Sequence, residues 1–364
     1  MPDDIKWARD DESREAALGA FWERAAPLVP HLYDLSVTEI AVNDPGTLWL
    51  MRAGKWESIP APEVDLAFLE SISSRLANYA SKAFDRKHTS LSTTLPSGER
   101  VEVTHPPACP ESTRYLNIRK HAAAAFPHSY LIETGYYAHT RHEYSLKLTK
   151  ADRERLMPEL TDRERELWEL AQAGNFAGFV ERAVQGYQNI LISGATGTGK
   201  TSYMRALIEM IDPADRIVTV EDSHEMPLPN HPNHNHLFYK KNEIDDGALA
   251  TDLLHSTMRK TPTRIIMAEL RGAEAMTYLS DVITSGHPGG ITTAHAGSPK
   301  EALLRLAFLV RKSPEGQGLS METILQLLNT ALNVVIQLDL DRFKERRHVP
   351  AIYYDPMFTR SLLG

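Results

Sequence analysis

Eight consecutive residues constrain this chain more than any other part of its sequence. They come one residue after the apolar run 190–192 and read Gly194-Ala195-Thr196-Gly197-Thr198-Gly199-Lys200-Thr201. In this phosphate-binding pattern, glycines let backbone N–H groups turn towards a phosphate, and a helix that begins near Lys200 adds the positive end of its dipole. Lys200 is expected to reach the β- and γ-phosphates of a nucleotide, and Thr201 is expected to hold Mg²⁺. A glycine-rich turn without a ligand is disfavoured, because the strand and helix that the motif requires are also indicated.

Length and composition indicate a globular chain of about two domains. The sequence has 364 residues, of which 42% are hydrophobic and 24% charged, and it contains no run of 18 apolar residues. The N-terminal stretch is charged and acidic, unlike a signal peptide, so we expect the protein to stay in the cytoplasm. The single cysteine, Cys109, excludes an intramolecular disulfide and a multi-cysteine metal site. The net charge of −8 argues against wholesale nucleic-acid binding, and no sequence-specific binding is expected.

Residues 1–146 are predicted to form an α+β domain. A hairpin is indicated where two strand-like segments flank Gly54, and apolar spacing predicts a helix over 66–79. The segments that are typical of strands are 37–42, 48–51, 55–57, 100–103 and 115–119.

Residues 147–186 are rich in charged side chains and are predicted to form a helical linker. Two capping boxes mark helix starts, one from Thr149 to Asp152 and one from Thr161 to Glu164. Two interpretations remain open at this stage. The segment is either a solvated amphipathic pair of helices on the surface or a mobile connection between domains that change position.

From residue 187 to 364 the pattern alternates between strands and helices, which favours an α/β domain with a mainly parallel sheet. A helix with a capping box is expected from Ser298 to Glu301 onwards, and two late segments predict an antiparallel hairpin. The predicted strands are 189–193, 216–222, 264–269, 290–294, 334–340 and 349–354.

Carboxylates stand at the ends of two of these predicted strands. Glu221 and Asp222 end one of them, where they could orient water, complete a Mg²⁺ shell, or simply cap a turn. Glu269 ends another and is placed to polarise the attacking water. Ala268 precedes it where most phosphate-loop NTPases carry Asp, so direct metal ligation by this strand is not expected.

A glycine- and histidine-containing segment, 285–297, follows further along the chain. It contains the predicted strand 290–294, and His295, directly after that strand, could donate to the γ-phosphate. Two histidines eight residues apart without a third ligand are a weak metal signal, and no metal is assigned to them.

Four boxes in order resemble the type II/IV secretion traffic ATPase superfamily. They are the loop 194–201, the acidic box 220–222, the box 268–272 and the histidine box 292–297, all within residues 186–312. The first domain resembles that of the VirB-type ATPases of type IV secretion and conjugation machines. The segments that carry this second resemblance are 37–43, Trp49, 54–56, 98–101, 106–108 and 117–120.

The resemblance implies a RecA-like ATPase domain after a smaller N-terminal domain, with ATP and Mg²⁺ bound between them in a homohexameric ring. Arg100 and Arg119 would then face the phosphates from the N-terminal domain, and Ser202 and Arg271 would join the nucleotide contacts. Arg259, Arg264 and Arg271 are candidates for contacts across a subunit boundary. Expected partners are the other components of a type IV secretion machine, including its other ATPases and inner-membrane proteins. The chain would associate peripherally with the cytoplasmic face of the inner membrane.

The leading hypothesis is therefore a Mg²⁺-dependent ATPase that powers pilus biogenesis or substrate transfer. Three alternatives stay open: a pilus assembly or retraction motor, a nucleotide-gated docking scaffold with little hydrolysis, and a RecA-like helicase. Relatives often carry Arg-x-Arg-Pro-Asp-Arg where this chain has Arg259-Lys260-Thr261-Pro262-Thr263-Arg264. No role of that second arginine can be carried over.

Overall fold

The computed structural model of the chain divides into two compact units, residues 1–124 and 125–364. It describes residues 22–34, 36–52, 54–95, 98–120, 126–239, 249–341 and 346–363. The acidic N-terminal stretch, on which the expected location rests, lies outside this range. In the described residues, no helix combines the length and the apolar character that a membrane span needs.

The first unit is an antiparallel sheet with helices. Its long helix, Leu66–Tyr79, has the predicted bounds, and the Asp65 carboxylate caps it by accepting the Phe68 N–H at 2.7 Å. The hairpin around Gly54 is confirmed as the antiparallel pairing of the strands Thr47–Arg52 and Lys55–Pro60. The elements are α1 (Val29–Tyr33), β1 (Val37–Val42), β2 (Thr47–Arg52), β3 (Lys55–Pro60), α2 (Leu66–Tyr79), β4 (Ser90–Thr94), β5 (Arg100–Thr104) and β6 (Tyr115–Arg119), with the sheet order β3-β2-β1-β6-β5-β4.

The second unit is an α/β layer structure around a mainly parallel sheet, as predicted. Its strands are β7 (Arg141–Glu143), β8 (Ile190–Ser193), β9 (Ile217–Glu221), β10 (His234–Phe238), β11 (Arg264–Met267), β12 (Ile291–Ala294), β13 (Val334–Asp341) and β14 (Arg346–Tyr354). Their order is β10-β9-β11-β12-β8-β13-β14-β7, and β13 and β14 form the predicted antiparallel pair. The strands from β10 to β13 in that order are parallel, so their carboxyl ends share one edge.

Helices cover both faces of this sheet. Ile190 and Ile192 point into one apolar cluster and Leu191 into the other, as the two-residue period of a strand requires. The central strands are buried on both sides, which explains their continuous apolar sequence. The helices are α3 (His128–Glu133), α4 (Lys150–Leu156), α5 (Asp162–Gln172), α6 (Phe176–Gln185), α7 (Lys200–Ile208), α8 (Ala250–Met258), α9 (Glu274–Thr277, continued by a π-helical segment Tyr278–Ile283), α10 (Pro299–Lys312), α11 (Met321–Ala331) and α12 (Pro356–Leu363).

The predicted boundaries differ from those of the structure in two respects. Segment 147–186 does not stand apart as a linker, because Leu167, Phe179 and Val184 are buried in the same apolar cluster as β8. The second unit begins earlier than residue 147 as well, since β7 pairs with β14. Charged side chains dominate the composition of 147–186, so the composition does not indicate this apolar face.

The predicted helix starts are largely confirmed. Both capping boxes, at Thr149 and at Thr161, are present with both hydrogen bonds. At α10 only half of the box forms. Ser298 accepts the Glu301 N–H, but the Glu301 carboxylate accepts the N–H of Gly297 instead of that of Ser298.

Candidate functional site

The phosphate-binding loop runs from the end of β8 into the first turn of α7, as predicted. Gly197 and Gly199 have φ angles of 83° and 88°, in the left-handed region that glycine adopts readily. A Cβ on Gly194 would lie 2.6 Å from Thr198 Oγ1 and 2.8 Å from the Leu338 carbonyl oxygen, so only glycine fits there. Around the Cβ direction of Gly197, nothing lies within 4 Å. The loop is therefore packed on one side and open on the other.

Lys200 begins α7 and folds back over the loop. Its Nζ donates to the carbonyl oxygens of Gly194 at 2.9 Å and Ala195 at 3.1 Å, and it lies 3.0 Å from His295 Nδ1. Only 8% of Lys200 is exposed. Thr201 and Ser202 follow on the same turn and are partly exposed. The ammonium is therefore held at the mouth of the loop, beside a histidine from a neighbouring strand.

Glu269, Arg271 and Asp222 form an ion-pair group at the carboxyl ends of β11 and β9. Arg271 Nη2 lies 2.7 Å from Glu269 Oε2, and Arg271 Nη1 lies 3.0 Å from Asp222 Oδ2. Hydrogen bonding to Glu269 raises the pKa of Arg271, so the guanidinium stays charged. Arg271 thus orients two of the predicted carboxylates at the same edge of the sheet as the loop.

His295 connects this group to Lys200. Its Nε2 lies 3.1 Å from Glu269 Oε1, although the two are not aligned for a hydrogen bond. Because an ammonium can only donate, Nδ1 of His295 accepts from Lys200 and the ring proton lies on Nε2. Burial, together with the charge of Lys200, lowers the pKa of His295, which favours the neutral ring. His295 therefore accepts a hydrogen bond from Lys200, and its Nε2 lies near Glu269 Oε1 without forming a hydrogen bond to it.

Glu221 lies apart from this group, in the interior. It has 0% exposure, and its carboxylate accepts from Thr219 Oγ1 at 2.6 Å and from the backbone N–H groups of Glu225 at 2.8 Å and Met226 at 2.9 Å. Burial opposes its ionisation, but hydrogen bonds from His236 and Thr219 hold the pKa of Glu221 below its ordinary value. Its contacts shape the turn after β9, and the catalytic role given to it from the sequence stays a prediction.

Three arginines are predicted from the sequence to make contacts across a subunit boundary, and the structure places them differently. Arg264 was a candidate for a contact across a subunit boundary, and this is wrong. It is 1% exposed, and its Nε lies 2.8 Å from Asp215 Oδ2 of the same chain. Arg271 is held by Glu269 and Asp222, as described. Arg259 is exposed at the end of α8, and any intersubunit role for it stays a prediction.

Arg100 and Arg119 belong to the first unit and lie directly opposite each other on β5 and β6. Arg119 Nε lies 3.7 Å from Glu39 Oε1, which is a long contact for an ion pair. Like charges opposite each other in an antiparallel pair lower stability. Their predicted approach to the phosphates stays a prediction.

Sequence reasoning missed two residues beside the loop. Thr201 Oγ1 donates to Glu225 Oε2 at 3.3 Å, and Arg347 Nε donates to the Gly197 carbonyl oxygen at 3.3 Å. Glu225 follows the acidic box by three residues and could have been included with it. The residues around Arg347 in the sequence do not indicate a role at the loop, because only the pairing of β13 with β14 brings it there.

The Thr201 hydroxyl and the Glu225 carboxylate are oxygen donors of the kind that Mg²⁺ prefers, and they lie together at the start of α7. These residues fit a Mg²⁺ ion that arrives with nucleotide phosphates. Among the described residues, no group of three or more His, Cys, Asp or Glu side chains could hold a metal ion by itself.

Comparisons with known proteins identify the family of this chain. The profile of the family described as type II/IV secretion system protein matches residues 161–347. The type IV secretion system protein VirB11 of Brucella suis is 37% identical over 340 residues, which are 92% of this chain and 90% of that one. PtlH of Bordetella pertussis, also a type IV secretion system protein, is 35% identical over 331 residues, which are 90% of this chain and 93% of that one.

Two solved structures share the fold. The crystal structure of the VirB11 ATPase from the Brucella suis type IV secretion system, in complex with sulphate, has a TM-score of 0.53 at 35% identity and covers 97% of this chain and 99% of that chain. The pilus retraction motor PilT with bound ADP has a TM-score of 0.54 at 14% identity, over 92% of this chain and 84% of that chain, which shows the fold alone. The chain therefore belongs to the type II/IV secretion traffic ATPase superfamily, within its VirB-type branch.

Proposed function

We propose that this chain binds ATP with Mg²⁺ at the loop 194–201 and hydrolyses it. A homohexamer of the chain would use this energy for pilus biogenesis or substrate transfer in a type IV secretion or conjugation system. The superfamily supports this proposal, and so does the VirB11 relative, whose crystal structure is described as that of an ATPase. The oligomer, the membrane face and the partner proteins are proposed by similarity.

One observation carries the proposal: a continuous series of polar contacts from the loop to the neighbouring strand ends. It runs from Lys200 to His295 at 3.0 Å, from His295 to Glu269 at 3.1 Å and from Glu269 to Arg271 at 2.7 Å. It ends at Asp222, 3.0 Å from Arg271. The lysine proposed to bind phosphate thus lies in one connected group with a carboxylate that an arginine orients, and phosphate ligands and a water-orienting residue are the groups that phosphoryl transfer uses.

Glu269 is the residue best placed to act as the base. Arg271 holds its Oε2, while its Oε1 is buried and accepts no hydrogen bond from any residue that the structure describes. We propose that Oε1 takes a proton from the attacking water. The water oxygen then forms its bond to the γ-phosphorus, and the bond between the γ-phosphorus and the bridging oxygen breaks to release ADP.

The other residues bind and orient. Lys200 offers ammonium N–H donors to the β- and γ-phosphates, which are stronger acceptors than the carbonyls that it contacts. Thr201 and Glu225 would hold Mg²⁺, which supplies positive charge against those phosphates when bound. We propose Glu221 as a positioning residue, because its carboxylate holds the turn that presents Glu225 to Thr201.

Arg100 and Arg119 are proposed to contact the phosphates from the N-terminal domain. Their position opposite each other supports this, because an anion would relieve the repulsion between two like charges on neighbouring strands. ATP binding would then favour closure of the two domains.

Two measurements test the proposed function. Purified wild-type chain should release phosphate from ATP only with Mg²⁺, and Lys200→Ala should abolish this release. Light scattering with ATP and Mg²⁺ should give the mass of about six subunits, as the similarity implies. A wild-type chain that binds ATP but releases no phosphate would favour the docking scaffold. Stimulation by single-stranded DNA would favour the helicase, and copurification with pilin-assembly platform proteins would favour the pilus motor.

A further inference from the structure

Two side chains of the second unit lie by the phosphate loop and the first turns of the helix that follows it, on the side away from Glu269 and His295. They are Arg347, on β14, and Tyr136, in the turn that follows α3. The sheet order places β12 and β11 on one side of β8, and β13 and β14 on the other. The loop therefore lies between the proposed catalytic group and this second pair.

Arg347 lies directly on the loop. Its Nε donates to the Gly197 carbonyl oxygen at 3.3 Å. Its Cδ would be 3.0 Å from a Cβ on Gly199, and its Nε would be 3.4 Å from the same atom. The residue is nevertheless exposed, so a ligand can reach it from solvent. Glycine at position 199 thus serves a second purpose, because it lets this arginine rest against the backbone.

Tyr136 lies close to Arg347. The Val349 N–H donates to the Tyr136 carbonyl at 2.9 Å, which sets the tyrosine beside β14, two residues beyond Arg347. Its ring stacks on that of Tyr203 in α7, with centroids 6.4 Å apart and an angle of 16° between the planes. Burial raises the pKa of the Tyr136 hydroxyl, and the positive charge of Arg347 acts against this rise. Both side chains therefore flank the first turns of the helix that begins at Lys200.

The direction of a bound nucleotide follows from the loop contacts. Lys200 takes the terminal phosphates, and it contacts His295 on the β12 side. Glu269, which would activate the water, lies on that side too, so the γ-phosphate must face it. The α-phosphate, ribose and base then extend the opposite way, towards β13 and β14. Arg347 and Tyr136 are the side chains already identified there.

We propose that Arg347 and Tyr136 bind the nucleoside end of the nucleotide, with the planar Arg347 guanidinium against the face of the base. Arginine suits this purpose because its flat, delocalised cation stacks on aromatic rings, whereas lysine offers only a point charge. Tyr136 supports the arginine from the side of α7 and offers its hydroxyl to the ribose. This assignment rests on the proposed ATP site and deepens it.

The test compares ATP with inorganic tripolyphosphate, which has the phosphates but no nucleoside. Affinities for both are measured with Mg²⁺ by calorimetry for wild type, Arg347→Ala, Arg347→Lys and Lys200→Ala. Arg182→Ala is the matched control. Arg182 is an exposed arginine on α6, which leads into the amino end of β8, whereas the phosphate loop follows the carboxyl end of β8. Melting temperatures establish that each variant is folded.

Arg347→Ala is expected to weaken ATP binding by about tenfold, the usual effect of losing one stacking partner of a base. Arg347→Lys should weaken it nearly as much, and tripolyphosphate binding should change less than twofold in both variants. In turnover, KM for ATP should rise while kcat stays within about twofold, because the contact is the same before and during the reaction. Tyr136→Phe should retain the stack and lose only the contact to ribose, with an effect of about threefold or less on ATP binding.

Three results would overturn the proposal. They are unchanged ATP binding in Arg347→Ala, full recovery by lysine, and an equal loss for tripolyphosphate, which would make Arg347 a phosphate ligand. Failure of the ATP site itself gives a different result. In that case wild type would not bind ATP, or Lys200→Ala would bind both compounds as wild type does.

Discussion

Arg271 Nη2 lies 2.7 Å from Glu269 Oε2, and this contact leaves Oε1 as the oxygen that faces His295. One oxygen is anchored by a permanent charge, while the other is buried without an aligned donor among the described residues. A carboxylate held in this way has a set orientation and one oxygen that can accept a proton. This is the geometry expected of a general base.

Glu269→Gln should therefore stop hydrolysis while preserving ATP binding. The amide has nearly the same shape but cannot accept the proton, so phosphate release should fall by about 10²- to 10⁴-fold. ATP affinity, measured by calorimetry, should change little. Glu322→Gln, at the exposed start of α11, is a suitable control. Near-normal phosphate release by Glu269→Gln would remove Glu269 from this role.

The lowered pKa of His295 predicts how its contribution to stability depends on pH. Its pKa in the folded chain lies below the unfolded value of about 6.5, so between the two values the unfolded chain binds more protons. The free energy of unfolding should therefore fall as the pH falls through about 6.5, and this loss should level off below the folded pKa, where both states bind the proton. The groups that act on the ring are Lys200, Glu269, Arg271 and Arg305.

Urea unfolding of wild type and His295→Asn between pH 5 and pH 8 measures this effect. The other lowered histidines, His31, His128 and His142, contribute equally to both proteins, so the difference isolates His295. The variant should lose less stability than wild type on acidification. The exposed His139→Asn serves as control. Parallel pH curves for wild type and His295→Asn would contradict the assigned neutral ring.

Arg264 should be a stability residue and not a subunit contact. Its guanidinium pairs with Asp215 at 2.8 Å and lies 3.9 Å from the centre of the Tyr187 ring. Arg264→Met leaves the buried Asp215 carboxylate without its cationic partner and with only the Tyr187 hydroxyl as a side-chain donor, which should lower the free energy of unfolding by about 3–5 kcal/mol. Adding Asp215→Asn should recover part of this loss, because it removes the unpaired charge. Urea unfolding measures both, and a loss of oligomer with unchanged monomer stability would restore the intersubunit interpretation.

The parts of the fold that the sequence predicted correctly depend on local rules. The loop 194–201, the helix 66–79 and the capping boxes at Thr149 and Thr161 were all visible because their patterns are complete within a few residues. The parallel sheet followed from fully apolar strands that alternate with helices. The boundary at 146 failed because β7 has only three residues and its partner β14 lies about 200 residues away.

The residues of the site, too, could be predicted from the sequence only where a local rule places them. Glu269 and Asp222 were found because carboxyl ends of parallel strands meet at one edge. That Arg271 bridges them, and that Glu221 faces inward, depends on side-chain orientation, which spacing does not determine. Arg347 was invisible for a further reason: a strand added antiparallel at the far side of β13 brings it to the loop.

Arg100 and Arg119 offer a test that separates function from stability. They occupy opposite positions on β5 and β6, where like charges repel. Arg100→Thr should therefore stabilise the N-terminal domain by roughly 0.5 kcal/mol. If the pair contacts the phosphates as proposed, the same variant should lose at least about tenfold in kcat/KM for ATP, since a charge-assisted contact disappears. Urea unfolding and phosphate release measure the two effects, with Arg86→Thr, an exposed arginine that pairs with Glu111, as control. A variant that gains stability and keeps full turnover would show that Arg100 does not contact the nucleotide. A loss of both stability and turnover would indicate a structural role for Arg100 in its own sheet.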